Sequence, residues 1–370
     1  MKLSIPDAIA AITPYPPGKP IEELEREYGI SNSIKLASNE NPLGPSPLAV
    51  GAISKALKNL HRYPDGSGHY LVRSIAEHYG VEPEQVVLGN GSNEIIEFLV
   101  KAFVEPGDDV ITSHPSFLMY QKFVQIRGGV NHVVALSDMS HDLAAIADRA
   151  GERTKLIFLD NPNNPTGSYL PRLRLLGFLD RLPEHILVVL DEAYVDFMDE
   201  TLRIDTTSLI TPRSGRCGVV SLRTFSKAYG LAGLRVGFGL MAPEVAACLH
   251  KVRQPFNVNQ LALVGANAAL QDQFFYQETL RITEEGKKTL MAGVERLGCR
   301  SFPSQTNFFL IDVGGDATTL YEAMLRQGVI VRSMKAYGYP NYIRINVGTA
   351  AENARFLETL QSCLAECGYA

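Results

Sequence analysis

The sequence predicts an α/β protein, with a large domain whose mostly parallel sheet is flanked by helices and a smaller α+β domain built from the N-terminal arm and the C-terminal third. Three observations lead there. From about residue 68, short apolar runs rich in β-formers alternate with segments of helical period. Several of these runs end in a polar or glycine-rich cluster, and in an open α/β sheet that edge is where ligands bind. After about residue 255 the alternation gives way to a long helical stretch and then to mixed strands and helices. The division expected is 1–45 for the arm and part of the small domain, 46–257 for the large ligand-binding domain, and 258–370 for the small C-terminal domain.

Along the chain, Pro and Gly crowd Thr13–Pro20 and Asn41–Pro47, which read as an extended arm and a turn. The β-rich runs follow: Gln85–Leu88, Asp109–Thr112, Lys155–Leu159, Ile186–Leu190, Gly218–Leu222 and Arg235–Leu240. Most are continuously apolar, as strands covered on both faces of a parallel sheet are. The first five end in LGNGSNE, SHPSF, DNPNNPTG, DEAY and RTFSK. Any one of these reads equally well as a loop with ordinary turn chemistry. Five in succession, each carrying donors, acceptors or charge, mark a ligand-binding edge. Beyond them a helical stretch spans Val258–Leu297, the strand NFFLIDV leads to a helix over Ala317–Gln327, the strands GVIVRSM and NYIRINVG come next, and a last helix closes the chain.

Composition narrows the function. With 45% apolar and 20% charged residues, the 370-residue chain is neither fibrous nor disordered. Thirty-five basic against 40 acidic residues give a charge of −5, without the basic footprint of a nucleic-acid binder. No apolar run approaches the ~18 residues that span a bilayer. The N-terminus lacks the pattern of a signal peptide, so a cytoplasmic protein is expected. The five cysteines are odd in number and scattered, which points to free thiols rather than to a disulfide framework or a metal site.

The chemistry gathers at the strand ends. Gly89-Asn90-Gly91-Ser92-Asn93-Glu94 follows a strand and opens a helix, an arrangement whose backbone N–H groups bind phosphate. Glu94 stands where a dinucleotide fingerprint needs its third glycine, and the Gly-Lys-Ser/Thr of a Walker loop is missing. A phosphate of another kind, or Ser92 or Asn93 as a plain N-cap, remains open. Asp191 ends an apolar run, where an ionised carboxylate wants a cation such as a protonated ring nitrogen. Tyr194 on the same loop and Asn164 in NPNNPTG are further polar candidates, although Asp191 also reads as a helix cap and Asn164 as an Asx-turn residue. Lys227, among small and apolar residues, suits an amine that loses its proton easily and attacks a carbonyl. Arg235 is spaced to turn back onto a phosphate.

PYPPGKPIEELEREYG, KLASNENPLGPSP, RYPDGSG, NPNNPTG, DEAY, TFSKAYGLAGLRVG, VRQPFNVNQLA and YIRINVGT, in that order, resemble stretches of the fold-type I pyridoxal-phosphate aminotransferases. The N-terminal stretches look like the histidinol-phosphate branch. The resemblance implies pyridoxal 5′-phosphate as cofactor. It assigns Lys227 to its aldehyde and to proton movement, Asp191 to the pyridine nitrogen, and Tyr194 and Asn164 to the 3′ oxygen. Phe117 takes the place of an aromatic that stacks on the ring. Ser92, Asn93, Thr224, Ser226 and Arg235 are assigned to the phosphate, and Tyr63 to the phosphate of a neighbouring subunit, which implies a homodimer with shared sites. Arg344 is matched to the substrate's anionic group, with Tyr15 and Arg332 as helpers; Arg332 also reads as an ordinary strand-surface arginine.

The reaction implied is amino transfer between L-histidinol phosphate and 2-oxoglutarate, giving imidazole-acetol phosphate and L-glutamate in histidine biosynthesis. An aromatic amino-acid (Phe/Tyr) aminotransferase on the same scaffold is the alternative. A threonine-phosphate decarboxylase using the same cofactor ranks below it. A silent regulator or a nucleotide-binding module sits poorly with intact Lys227, Asp191, Tyr194 and Arg235 and with the failed dinucleotide fingerprint.

Overall fold

The structure, a computed structural model, describes residues 4–14, 18–211 and 215–369. Its strands are β1 (Ile34–Lys35), β2 (Val86–Gly89), β3 (Asp109–His114), β4 (Val130–Ala135), β5 (Thr154–Asp160), β6 (Leu187–Asp191), β7 (Gly218–Thr224), β8 (Gly237–Leu240), β9 (Arg300–Ser301), β10 (Phe308–Asp312), β11 (Val329–Ile330), β12 (Arg332–Ser333) and β13 (Tyr342–Asn346).

Strands β2 to β8 form one sheet in the order β2-β8-β7-β6-β5-β3-β4. All run the same way except β8, which is antiparallel to both its neighbours. Residues along the central strands alternate between two cores. Leu156, Phe158 and Val189 pack with helices Ser92–Phe103 and Met119–Arg127, while Ile157, Leu159, Val188 and Leu190 pack with Leu143–Arg149 and Arg172–Leu179 on the other face. Covering both faces is what makes these strands read as unbroken apolar runs. Strand β4, at the edge and largely exposed, carries no such run and is the strand that apolarity does not reveal.

The stretch from Val258 to Leu297 is two helices, Gln260–Gln271 and Gln273–Arg296. Asp272 separates them: its Oδ1 accepts from the Phe275 N–H (3.3 Å) as an N-cap, and its Oδ2 accepts from the Ser46 hydroxyl (2.6 Å). The first helix packs into the core beneath β2 and β8, with Ala262, Ala266 and Ala269 among Ala49, Leu71 and Phe238.

Strands β12-β13-β10-β9 make an antiparallel sheet in the C-terminal part. The segment GVIVRSM splits between two sheets, because β11 pairs in parallel with β1 whereas β12 pairs with β13. Leu36 sits in the C-terminal core with Phe309, Ile345 and Val347, so the chain entering from the N-terminus is held by this part. Immediately after β1 it turns toward the carboxyl edge of the large sheet.

Candidate active site

Sheet register assembles the site. Asp160 and Asp191 end neighbouring strands as direct partners, and Thr224 and Gly89 both pair with Gly237. Because β8 runs the opposite way, the residues that precede it, Arg235 included, lie at the edge where the other strands finish. Ser92, Asn93, Phe117, Asn164, Asp191, Tyr194, Thr224, Ser226, Lys227 and Arg235 line one cavity of about 290 Å³ there.

At one part of the cavity the helix Ser92–Phe103 begins after Gly91. Glu94 accepts hydrogen bonds from the Asn90 N–H and the Asn257 amide, both at 2.7 Å, and so holds the loop in the place where a dinucleotide fold uses glycine. A Cβ on Gly237 would stand 2.5 Å from the Ser92 nitrogen, so β8 approaches the helix start as closely as backbone can. Arg235 donates to the Ala232 carbonyl at 3.1 Å, and no carboxylate pairs with it among the described residues. The Asn93 amide oxygen is buried with no hydrogen bond among them. Helix N-terminus and guanidinium together form an anion cradle.

Asp191 is 6% exposed. Its Oδ2 accepts from the Tyr120 hydroxyl (2.8 Å) and its Oδ1 from the Ala193 N–H (3.1 Å). Burial pushes its carboxyl up to about 6; the Tyr120 hydrogen bond opposes that shift, and the nearby Asp160 carboxylate adds to it. No ion pair reaches Asp191 among the described residues, so the carboxylate lacks the cation its burial demands.

The Lys227 amine donates to the Ser38 carbonyl (3.2 Å) and lies 5.5 Å from the centre of the Tyr194 ring. Burial, then the Arg344 charge, bring it down to about 8, with Glu40 pulling the other way. The Tyr194 hydroxyl accepts from the Asn39 amide at 2.9 Å, and burial raises its phenol. Arg344, 6% exposed, donates to the Asn164 amide oxygen and, at 3.0 Å, to the Ala37 carbonyl. Arg332 stands directly opposite it across β12 and β13.

Tyr63 is not in this cavity; it is 83% exposed and stacks on Phe256 with ring centres 4.9 Å apart. Tyr15 lies outside the described residues. The sequence reading missed Ala37–Glu40, whose Ala37, Ser38 and Asn39 reach Arg344, Lys227 and Tyr194 in turn. It also missed Tyr120. The run SNEN was a signal for the first, being too polar for the strand before it; nothing in FLMY distinguishes the second from core.

The arrangement supplies an anion cradle, a carboxylate in want of a cation, an amine that gives up its proton near neutrality, and a buried arginine on the C-terminal part. The chain belongs to the aminotransferase class I and II family, whose model matches residues 31–360. It is 64% identical over 369 residues to the histidinol-phosphate aminotransferase of Desulfotalea psychrophila, covering 100% of this chain and 97% of that protein. It is 44% identical to that of Moorella thermoacetica, covering 97% and 92%. Among solved structures, the histidinol-phosphate aminotransferase of Sinorhizobium meliloti in complex with pyridoxal-5′-phosphate superposes with a TM-score of 0.89 at 29% identity over 98% of each chain. The fold is the fold-type I architecture.

Proposed function

We propose that this chain is a pyridoxal-phosphate-dependent aminotransferase that moves the amine of L-histidinol phosphate to 2-oxoglutarate, yielding imidazole-acetol phosphate and L-glutamate in histidine biosynthesis. One observation carries the reading: Lys227, Asp191 and the Ser92 helix start with Arg235 line a single cavity, and each has a demand that one ligand with a carbonyl, a ring nitrogen and a phosphate meets. The names of the relatives agree with it. They do not carry the aromatic or the decarboxylase alternative.

In this reading the Ser92 and Asn93 helix start, Thr224, Ser226 and Arg235 hold the phosphate. Asp191 keeps the proton on the ring nitrogen, Phe117 stacks on the ring, and Tyr194 and Asn164 reach the 3′ oxygen. Pyridoxal phosphate, when bound, supplies an aldehyde for amines and a ring that takes up the electron pair of a bond broken at the substrate's amine-bearing carbon. Lys227 Nζ accepts the proton from that carbon and returns it, a task suited to an amine whose proton leaves at about 8. Arg344 grips the anionic end of either substrate with Arg332 as a helper, a role the family resemblance also gives to Tyr15, so a phosphate and a carboxylate are served by the same arginines. Tyr63 serves the phosphate of a partner copy, which makes the working unit a homodimer. The proposed division is 1–45, 46–257 and 258–370, with the first helix after residue 258 packed against the large core. No helix among the described residues is long and apolar enough to cross a membrane, and the proposed location is the cytoplasm.

The deciding experiment compares kcat/KM for histidinol phosphate, phenylalanine, tyrosine and O-phosphothreonine with 2-oxoglutarate as acceptor, while carbon dioxide is followed. Histidinol phosphate should lead without gas release. Preference for phenylalanine or tyrosine, or release of carbon dioxide, would replace the reading with one of the alternatives.

A further inference from the structure

We propose that Tyr120 is a positioning residue that acts through Asp191: its hydroxyl holds the carboxylate ionised and aimed, so that the ring nitrogen of bound pyridoxal phosphate, rather than Asp191, keeps the shared proton. The proposal rests on the cofactor reading above and extends it to a residue with no part in that mechanism.

Tyr120 belongs to the helix Met119–Arg127 and is fully buried. Its ring lies flat on Phe158, with centres 4.8 Å apart and planes 8° from parallel, and meets Phe117 edge-on at 5.4 Å. Two aromatic contacts in different directions leave the phenol little freedom to turn. Its hydroxyl donates to Asp191 Oδ2 at 2.8 Å. Among the described residues the other donor on that carboxylate is the Ala193 N–H, while Asp160 and Glu192 are the like charges that push its proton affinity upward.

A hydrogen bond donated to a carboxylate favours the charged form. Without the hydroxyl, Asp191 has a single donor and two acidic neighbours, and the proton on the ring nitrogen passes to its Oδ, leaving a neutral acid beside a neutral pyridine. The cost is paired recognition as well as orientation. Phe117 also meets Tyr120 edge-on, so one buried phenol touches both the carboxylate and the aromatic wall assigned to the same ring.

The test uses Tyr120→Phe, which keeps the stacked ring and deletes only the hydroxyl. Wild type and variant are loaded with pyridoxal phosphate carrying ¹⁵N in the ring. The ring-nitrogen shift and the cofactor dissociation constant from equilibrium dialysis are then measured. The variant should show a ring nitrogen moved toward the neutral shift and an affinity roughly tenfold weaker. In an Asp191→Ala background the same substitution should change neither. An unchanged shift and affinity in Tyr120→Phe overturn the proposal, as does an equal loss in both backgrounds, which means that the hydroxyl serves the fold alone. If Tyr120→Phe does not fold, 3-fluorotyrosine at position 120, a stronger donor, should move the ring nitrogen further toward the protonated shift; no movement overturns the proposal too. Failure of the wild type to bind the cofactor removes the underlying reading, an outcome distinct from these.

Discussion

The guanidinium of Arg235 fills the space that a side chain at Gly91 would need, with Nη2 2.6 Å from where a Cβ would stand. Gly91 also has φ of 77°, in the region that glycine adopts readily. Gly91→Ala therefore meets two penalties, backbone strain of about 1–3 kcal/mol and a displaced Arg235. The expected result is a lower melting temperature for the cofactor-free chain and at least roughly tenfold weaker binding of pyridoxal phosphate in equilibrium dialysis. Arg235→Ala should lose the affinity and keep the melting temperature.

Lys227 gives a pH dependence with a defined direction. Its amine loses its proton at about 8 in the folded chain against 10.5 ordinarily. The unfolded chain thus binds more protons between those values, and the cofactor-free protein gains stability as pH rises from about 8 to about 10.5. Urea midpoints taken across that interval should climb, and Lys227→Ala should flatten the climb. The rate at which the empty protein captures pyridoxal phosphate should rise with pH below about 8 and level off above it. Borohydride treatment of the loaded protein followed by peptide mapping should place the label on Lys227; a label elsewhere moves the role with it.

Much of this was legible in the amino-acid order, for a physical reason. Strands β3, β5, β6 and β7 begin within about a residue of where apolar runs place them, because both faces of each are covered. Strand β4 escaped because it is an edge strand whose His132 and Asn131 stay partly in solvent. The loose break expected between Val258 and Leu297 is not located by sequence at Asp272, because apolar spacing continues on both sides of it and its cap is visible only with Ser46 in place. Within the cavity, residues in loop motifs were readable as a set. Asn39 and Tyr120 were not, since their roles depend on partners 155 and 71 positions away that only the fold brings near.

Asp191 sets stability against function. Burial raises its carboxyl from 3.8 to about 6, so the folded chain binds more protons than the unfolded one between those values, and its contribution to stability is lost as pH rises through that window. Above about pH 6 the empty site holds a buried charge without a cation. Asp191→Asn should leave the cofactor-free protein as stable as wild type or up to about 3 kcal/mol more stable at pH 8, measured by urea unfolding. The same variant should bind pyridoxal phosphate more weakly and lose most amino transfer. A marked loss of stability in the empty variant would mean that the carboxylate holds the fold together rather than awaiting a ligand.

The exposed stack of Tyr63 on Phe256 bears on the proposal of a site shared between two copies. A tyrosine 83% exposed, outside its own chain's cavity, contributes to catalysis only if a second copy brings its cavity to it. Tyr63→Ala alone should raise the cofactor dissociation constant without changing the fold, and Lys227→Ala alone should abolish turnover. Mixed by co-expression with two different affinity tags and purified through both, the two variants form hybrids in which one site carries both substitutions and the other carries neither. That second site should bind cofactor with wild-type affinity and turn over at the wild-type rate per intact site. Hybrids no better at binding cofactor than Tyr63→Ala alone would put Tyr63 outside the partner's site, and a chain that sediments as a monomer at full activity would do the same.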